Sequence, residues 1–239
     1  MENVSYIGLS QQMVLQRRME ITANNLANMN TAGFKAQSVL SLDHISSPRG
    51  GGILHQVMDY ASYRNLAQGA LSQTHNNLDL SIQGEGYFKV QTPQGPRYTR
   101  DGGFALNADR EIVTKSGYPL LNDSNSPIVV PPEATHITVT KGGTISTELG
   151  DIGRIRVVAF SQEQDMVEAG ENLYDASQLQ ERPVPNLQIM QGMIEGSNVN
   201  PILEMNKMIE ISRMYQAAQR ILQNDHERIR GAIQKLTRV

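Results

Sequence analysis

Leu78–Val90 reads LDLSIQGEGYFKV. Leu78, Leu80 and Ile82 alternate with Asp79, Ser81 and Gln83, and Phe88 and Val90 resume the alternation after the glycines. A period of two marks a half-buried strand, because successive side chains point to opposite faces. Turn signals follow at short intervals: Thr92-Pro93-Gln94-Gly95, Asn107-Ala108-Asp109, Asn122-Asp123-Ser124-Asn125 and Lys141-Gly142-Gly143. Between them lie Ile112-Val113, Ile128-Val129-Val130, Ile137 with Val139, and Ile155, Val157 and Ala159. Short strands at that spacing predict one antiparallel β-domain over 74–174. Gly84 and Gly86 sit between strands, where a turn or bulge suits them, and they lack the following helix that a phosphate loop needs.

Outward from this domain the period changes. Towards the N-terminus, Val4, Ile7, Val14 and Ile21 share one helical stripe, widened by Leu9, Met13 and Leu26, with Gly33 as a plausible stop. Towards the C-terminus, Met208, Ile211, Tyr215, Ala218 and Leu222 step by three and four, and Ile202, Met205 and Ile209 form a neighbouring row. Asn198 and Pro201 suit the start of this helix. About 38 helical residues would reach roughly 57 Å, longer than a β-domain of this size is wide. The fold class is therefore mixed α and β. Terminal helices (1–34 with 198–239) pair as an α-helical coiled-coil domain, and a central antiparallel all-β domain (74–174) is inserted between them. The segments 35–73 and 175–197 are expected as extended connecting arms, the first carrying a flexible loop at Ser46-Ser47-Pro48-Arg49-Gly50-Gly51-Gly52.

Pairing two helices still leaves apolar surface in water, which neighbouring copies would cover. The candidate assembly residues are Val14, Ile21, Asn24 and Asn28 on the first helix, and Met208, Ile211, Tyr215, Ala218 and Leu222 on the second. Asn24 and Asn28 are one turn apart, with Asn25 beside them. A buried amide fixes register, because a mismatch leaves it unpaired. The alternative is that all three are solvated, and periodicity alone leaves both readings open. Met205, Met208 and Met214 are adaptable packing material. A monomer with its helices folded onto the β-domain is the alternative to assembly.

Composition narrows the function further. The chain has 239 residues, a formal net charge of −3, 5% aromatic residues and no cysteine. The balanced charge lacks the basic footprint of a nucleic-acid binder. Without Cys there are no disulfides, thiolate nucleophiles or Cys-based zinc sites. His44, His55, His75, His136 and His226 do not pair at helical metal-ligand spacing, no serine lies in a nucleophile elbow, and Asp79 with Glu85 makes no persuasive acid–base pair. No enzyme activity, cofactor or metal is expected. In Tyr98–Gly103 (YTRDGG), Arg100 and Asp101 read as an ion pair or a turn. No stretch approaches the length of a membrane span, and no cleavable signal peptide is visible.

Three ordered segments carry a resemblance. Ala23–Lys35 (ANNLANMNTAGFK) resembles the N-terminal signature of bacterial flagellar axial proteins, the rod and hook family. Leu78–Leu121 resembles that family's middle motif, with its G-x-G-[FY]-F strand, TP-x-G turn and YTR-x-G-x-F sequel. Glu195–Leu222 resembles its C-terminal SNV-x-x-x-x-E-M signature. Length leaves no room for the extra β-domains of hook proteins and suits the proximal rod better than the distal rod. The resemblance implies a structural protein exported without cleavage by the flagellar type III apparatus. It implies assembly with copies of itself and with other rod subunits in the basal body, with no nucleic acid and no membrane insertion. The terminal helices would form an inner coiled-coil layer around the export channel and the β-domain an outer one. The rod crosses the periplasm and transmits torque. The competing reading is a soluble carbohydrate- or peptide-binding β-module with a helical oligomerisation handle, which would need Tyr87, Phe88, Tyr98, Phe104 and Tyr118 to form a concave aromatic site.

Overall fold

A computed structural model describes residues 2–46 and 54–236, and the chain divides into two compact units. The first takes in 1–29, 36–65 and 199–239; the second takes in 30–35 and 66–198.

The first unit contains two helices and a hairpin. Helix α1 spans Glu2–Ala27 and α2 spans Pro201–Leu236, both close to the helices expected from periodicity. At 36 residues, α2 is about 54 Å long. Its cap is Asn200, whose Oδ1 accepts from the amides of Ile202 and Leu203 at 3.1 and 3.3 Å, with Pro201 in the first turn where no amide is needed. Asn198, expected as a cap, instead donates its side-chain amide to the Ala67 carbonyl within the second unit.

The first expected arm is folded. Strands β1 (Gln37–Ser46) and β2 (Leu54–Arg64) pair antiparallel from Gln37 opposite Arg64 to Ser46 opposite Leu54. The register shifts between Leu40 and Ser41, where Leu40 faces Ala61 but Ser41 faces Asp59. That bulge moves the alternation by one residue, so no single period of two runs through the strand. The glycine-rich loop at 47–53 lies outside the described residues.

The second unit is built from short antiparallel strands around two apolar clusters. Its central sheet has six strands, in the spatial order Val167–Glu168, Leu173–Asp175, Gly95–Thr99, Tyr87–Thr92, Val157–Ala159 and Arg182–Pro183. The larger cluster includes Leu80, Ile82, Phe88, Val90, Phe104, Ile112, Leu120 and Ile145. The smaller one, with Tyr87, Tyr98, Val158, Phe160, Met166 and Tyr174, uses the alternate residues of the same strands. The sheet is therefore covered on both faces. Ser81 and Lys89, expected on a solvent face, are buried along with their apolar neighbours. Of the half-buried stretch predicted at Leu78–Val90, Tyr87–Val90 is thus buried on both sides, because the aromatic cluster lies over the face that alternation leaves polar, while Gln83 and Glu85 stay exposed.

The other departure is at the end of this unit. Pairing does not stop near Tyr174: Gln188–Gln191 pairs with Leu80–Gln83, and Met193–Glu195 pairs with Leu71–Gln73. The segment 175–197, expected as an arm, closes the β unit and contributes the buried Ile189 to its core. The turn at Thr92–Gly95 is where the sequence places it, with the Thr92 hydroxyl donating to the Gly95 carbonyl at 2.7 Å.

Candidate assembly interface

Within the first unit α1 and α2 run antiparallel and in contact. An added Cβ at Gly8 would come within 2.5 Å of Leu222, near the start of α1 and well along α2. Leu15 packs with Ile211 and Ala218 in one cluster, joined by Met19, Met214 and Tyr215. At the other end of α1, the Asn25 amide donates to Glu204 at 3.0 Å. The contacts thus run in opposite chain directions, as antiparallel packing requires.

Asn25 answers the question of the asparagines. It is 1% exposed. Its Nδ2 also donates to the Gln37 carbonyl at 2.8 Å, and its Oδ1 accepts from the Gln37 amide at 2.9 Å. One side chain therefore pairs with the backbone of β1 as a neighbouring strand would, while holding α2 through Glu204. Glu204 is itself buried and accepts from Lys207 at 2.6 Å. Asn24 and Asn28 lie on the outer side and pair with each other, Nδ2 of Asn28 donating to Oδ1 of Asn24 at 2.6 Å. Within the chain the register-fixing amide is Asn25, and neither Asn24 nor Asn28 takes that position.

The other candidate residues fall into two groups. Val14, Ile21, Ile211 and Ala218 are buried, and Tyr215 packs at the edge of their cluster. Met208 and Leu222 are half-buried. These residues form the seam inside the unit. Sequence reading missed Leu15, Thr22, Asn25, Glu204 and Asp225, all buried. A signal was available for three of them. Asn25 continues the Val14–Ile21 stripe four residues on, while Glu204 and Asp225 extend the Met208–Leu222 stripe by four residues backward and three forward. Their polarity hid them.

The second row on α2 stays bare. Ile202, Met205 and Ile209 are 70%, 50% and 53% exposed, and Leu203 and Ile221 are also exposed. Leu9 and Met13 form a smaller bare patch on α1.

In the β unit, Tyr87, Phe88, Tyr98 and Phe104, which a binding module would present, are buried, and Tyr118 is half-buried against the larger cluster. Phe88 and Phe104 meet edge to face at 5.2 Å, and Tyr98 meets Phe160 at 4.9 Å. Asp101 and Arg100 do not pair with each other: Asp101 accepts from the Gly103 amide in a turn, and Arg100 reaches Glu195. A polar knot lies beside the smaller cluster, where Glu181 accepts from Lys89 at 2.6 Å, Tyr98 at 2.7 Å and Arg156 at 2.9 Å. Burial opposes ionisation of this carboxyl, but the three donors outweigh it and hold it down at about 2. Burial, with the bond to Glu181, pushes the Tyr98 hydroxyl well above the usual tyrosine range. No group of three or more His, Asp or Glu side chains among the described residues is placed to hold a metal ion.

Comparison with known proteins matches three regions of the chain to family descriptions. Residues 6–35 match "Flagella basal body rod protein", 81–147 match "Flagellar hook protein FlgE/F/G D1 domain", and 190–235 match "Flagellar basal body rod FlgEFG protein C-terminal". The flagellar basal-body rod protein FlgF of Caulobacter vibrioides is 38% identical, with all of both chains covered. FlgF of Mesorhizobium japonicum is 34% identical over 90% of each chain. The rod protein FlgG of Buchnera aphidicola subsp. Schizaphis graminum is 31% identical over 89% of this chain and 90% of its own.

Proposed function

Because this chain belongs to the flagellar basal-body rod proteins and is FlgF-like, with FlgG next in similarity, we propose that it occupies the proximal rod and assembles there through its terminal helices. The rod role is structural, and no catalytic step is assigned to it. The terminal helices form a coiled-coil layer with those of neighbouring copies and other rod subunits. Export proceeds through the flagellar type III apparatus, and the assembled rod encloses the export channel and carries torque across the periplasm. The lack of cysteine suits a chain that must pass unfolded through a narrow channel. Dense interdigitation of long helices gives the stiffness a drive shaft needs, since close-packed side chains leave little room for shear.

One observation carries this reading. Folding of the first unit uses one apolar row of α2 and leaves Ile202, Met205 and Ile209 in water. Bare apolar rows of this kind mark protein–protein contact. Introducing Met205→Glu together with Ile209→Glu is expected to change monomer stability by less than about 0.5 kcal/mol, because neither side chain is part of the seam. The same pair is expected to abolish incorporation into basal bodies and motility in a complemented null strain. Normal incorporation of the double variant would overturn assembly through this row.

A further inference from the structure

The chain crosses between the two units at four places, at 29/30, 35/36, 65/66 and 198/199. Within the β unit, three segments that flank these crossings, 30–35, 66–69 and 195–198, meet at one buried carboxylate. Glu195 is 1% exposed and Lys35 2%. Lys35 Nζ lies 2.6 Å from Glu195 Oε1 and also donates to the Ala67 carbonyl at 2.9 Å. The Gly69 amide donates to the same Oε1 at 3.1 Å, and Arg100 Nη1 stands 3.5 Å from Oε2. Arg100 is held by donation to the Gly84 carbonyl at 2.6 Å and lies over the ring of Tyr87, whose hydroxyl donates to Glu163.

Backbone contacts close the same point. The Gly33 amide donates to the Glu195 carbonyl at 2.8 Å, and the Asn198 amide to the Phe34 carbonyl at 3.3 Å. Asn198 Nδ2 donates to the Ala67 carbonyl at 2.8 Å. The approach is close enough to demand glycine twice. Gly33 has φ +68°, and a Cβ there would sit 2.5 Å from the Arg100 carbonyl carbon; a Cβ on Gly69 would sit 2.0 Å from the Gly196 oxygen.

We infer that Lys35, Arg100 and Glu195 form a charge-matched clasp that fastens the three segments flanking the chain crossings into the β unit, so that segment Asn30–Lys35 and the Leu66–Gly69 passage dock only when Glu195 is in place. Two cations share this one carboxylate, with Glu163 the next acidic group behind Tyr87. Removing the carboxylate leaves both cations buried and facing each other. Removing Lys35 leaves the Arg100–Glu195 pair intact, and Ala67 keeps its bond from Asn198. The two single changes therefore differ sharply in consequence, although they remove opposite ends of one ion pair. In a torque-bearing rod the clasp spreads load from any one of these segments over the other two. That consequence rests on the rod reading; the clasp itself does not.

The test uses the full-length monomer and does not depend on assembly. Glu195→Gln keeps shape and an acceptor for Gly69 but removes the charge. Amide exchange at Gly33 and Gly69 is expected to speed up roughly a hundredfold, the effect of breaking a buried pair. Lys35→Met is expected to change it by about tenfold at most, and K35M/E195Q to exchange more slowly than E195Q alone, because it removes one of the stranded cations. If Glu195→Gln fails to fold, folding of K35M/E195Q makes the same point. Unchanged exchange in E195Q, or a double variant as perturbed as the product of the two singles, would overturn the clasp.

Discussion

A single step along α1 separates the asparagine that folds the chain from those that face outward. Asn25 is buried against Gln37 and Glu204, while Asn24 and Asn28 pair on the outer side. Helical period brings a reader to the right turn, but the choice among adjacent amides depends on which 100° sector another element covers. Glu181 is a second residue whose role depends on distant partners, since Lys89 and Tyr98 are 92 and 83 positions away. Its carboxyl ionises at about 2 in the folded chain, against an ordinary 4.5. A depressed carboxylate contributes stability that is present above pH 4.5 and is lost as pH falls through about 2. Wild type is therefore expected to exceed Glu181→Gln in urea midpoint at pH 7, with the gap shrinking between pH 4.5 and 2.5. A gap that stays constant over that range would contradict the assignment. Nothing in the sequence could have revealed the Lys35–Glu195 contact either, because its partners lie 160 positions apart and each reads alone as an ordinary surface charge.

Elements were legible where one period runs unbroken. Both helices satisfy this, as does the strand at Tyr87–Thr92, while Ile112–Thr114, Ile137–Val139 and Val157–Ala159 were legible from paired β-branched residues between turn signals. The β1–β2 hairpin was hidden by its bulge, which puts one extra residue into β2 between Asp59 and Ala61 and shifts the alternation of that strand. Strands Arg182–Pro183 and Met193–Glu195 were hidden by brevity, since two or three residues carry no period and their pairing is fixed only by distant partners. The two units also differ in how far they cover their own apolar surface. The β unit has cores on both faces of its main sheet, while α2 keeps a bare row. Local stability follows local burial. Limited proteolysis of a dilute monomer is therefore expected to cut α1 and α2 well before any site within 66–198. Termini that outlast the β unit in a verified monomer would contradict the claim that the helices await partners.

For the molecule as a whole, the family resemblance in three ordered segments carries the function, and the structure adds a physical reason for it. The chain buries one side of its terminal helices within the first unit and leaves an apolar row of α2 exposed, which is the row proposed to meet neighbours. The β unit buries Tyr87, Phe88, Tyr98 and Phe104, so of the five aromatic residues a binding module would use only Tyr118 reaches the surface. Length and similarity favour the proximal rod, while helix rows and β cores serve proximal and distal positions equally well. Counting copies decides this. Purified hook–basal bodies should be analysed by quantitative mass spectrometry, with this chain measured against hook protein. A few copies per particle are expected, as a short proximal segment requires. Many copies would contradict the proximal placement and move the chain to the distal rod, and complete absence from the particles would contradict the rod assignment itself.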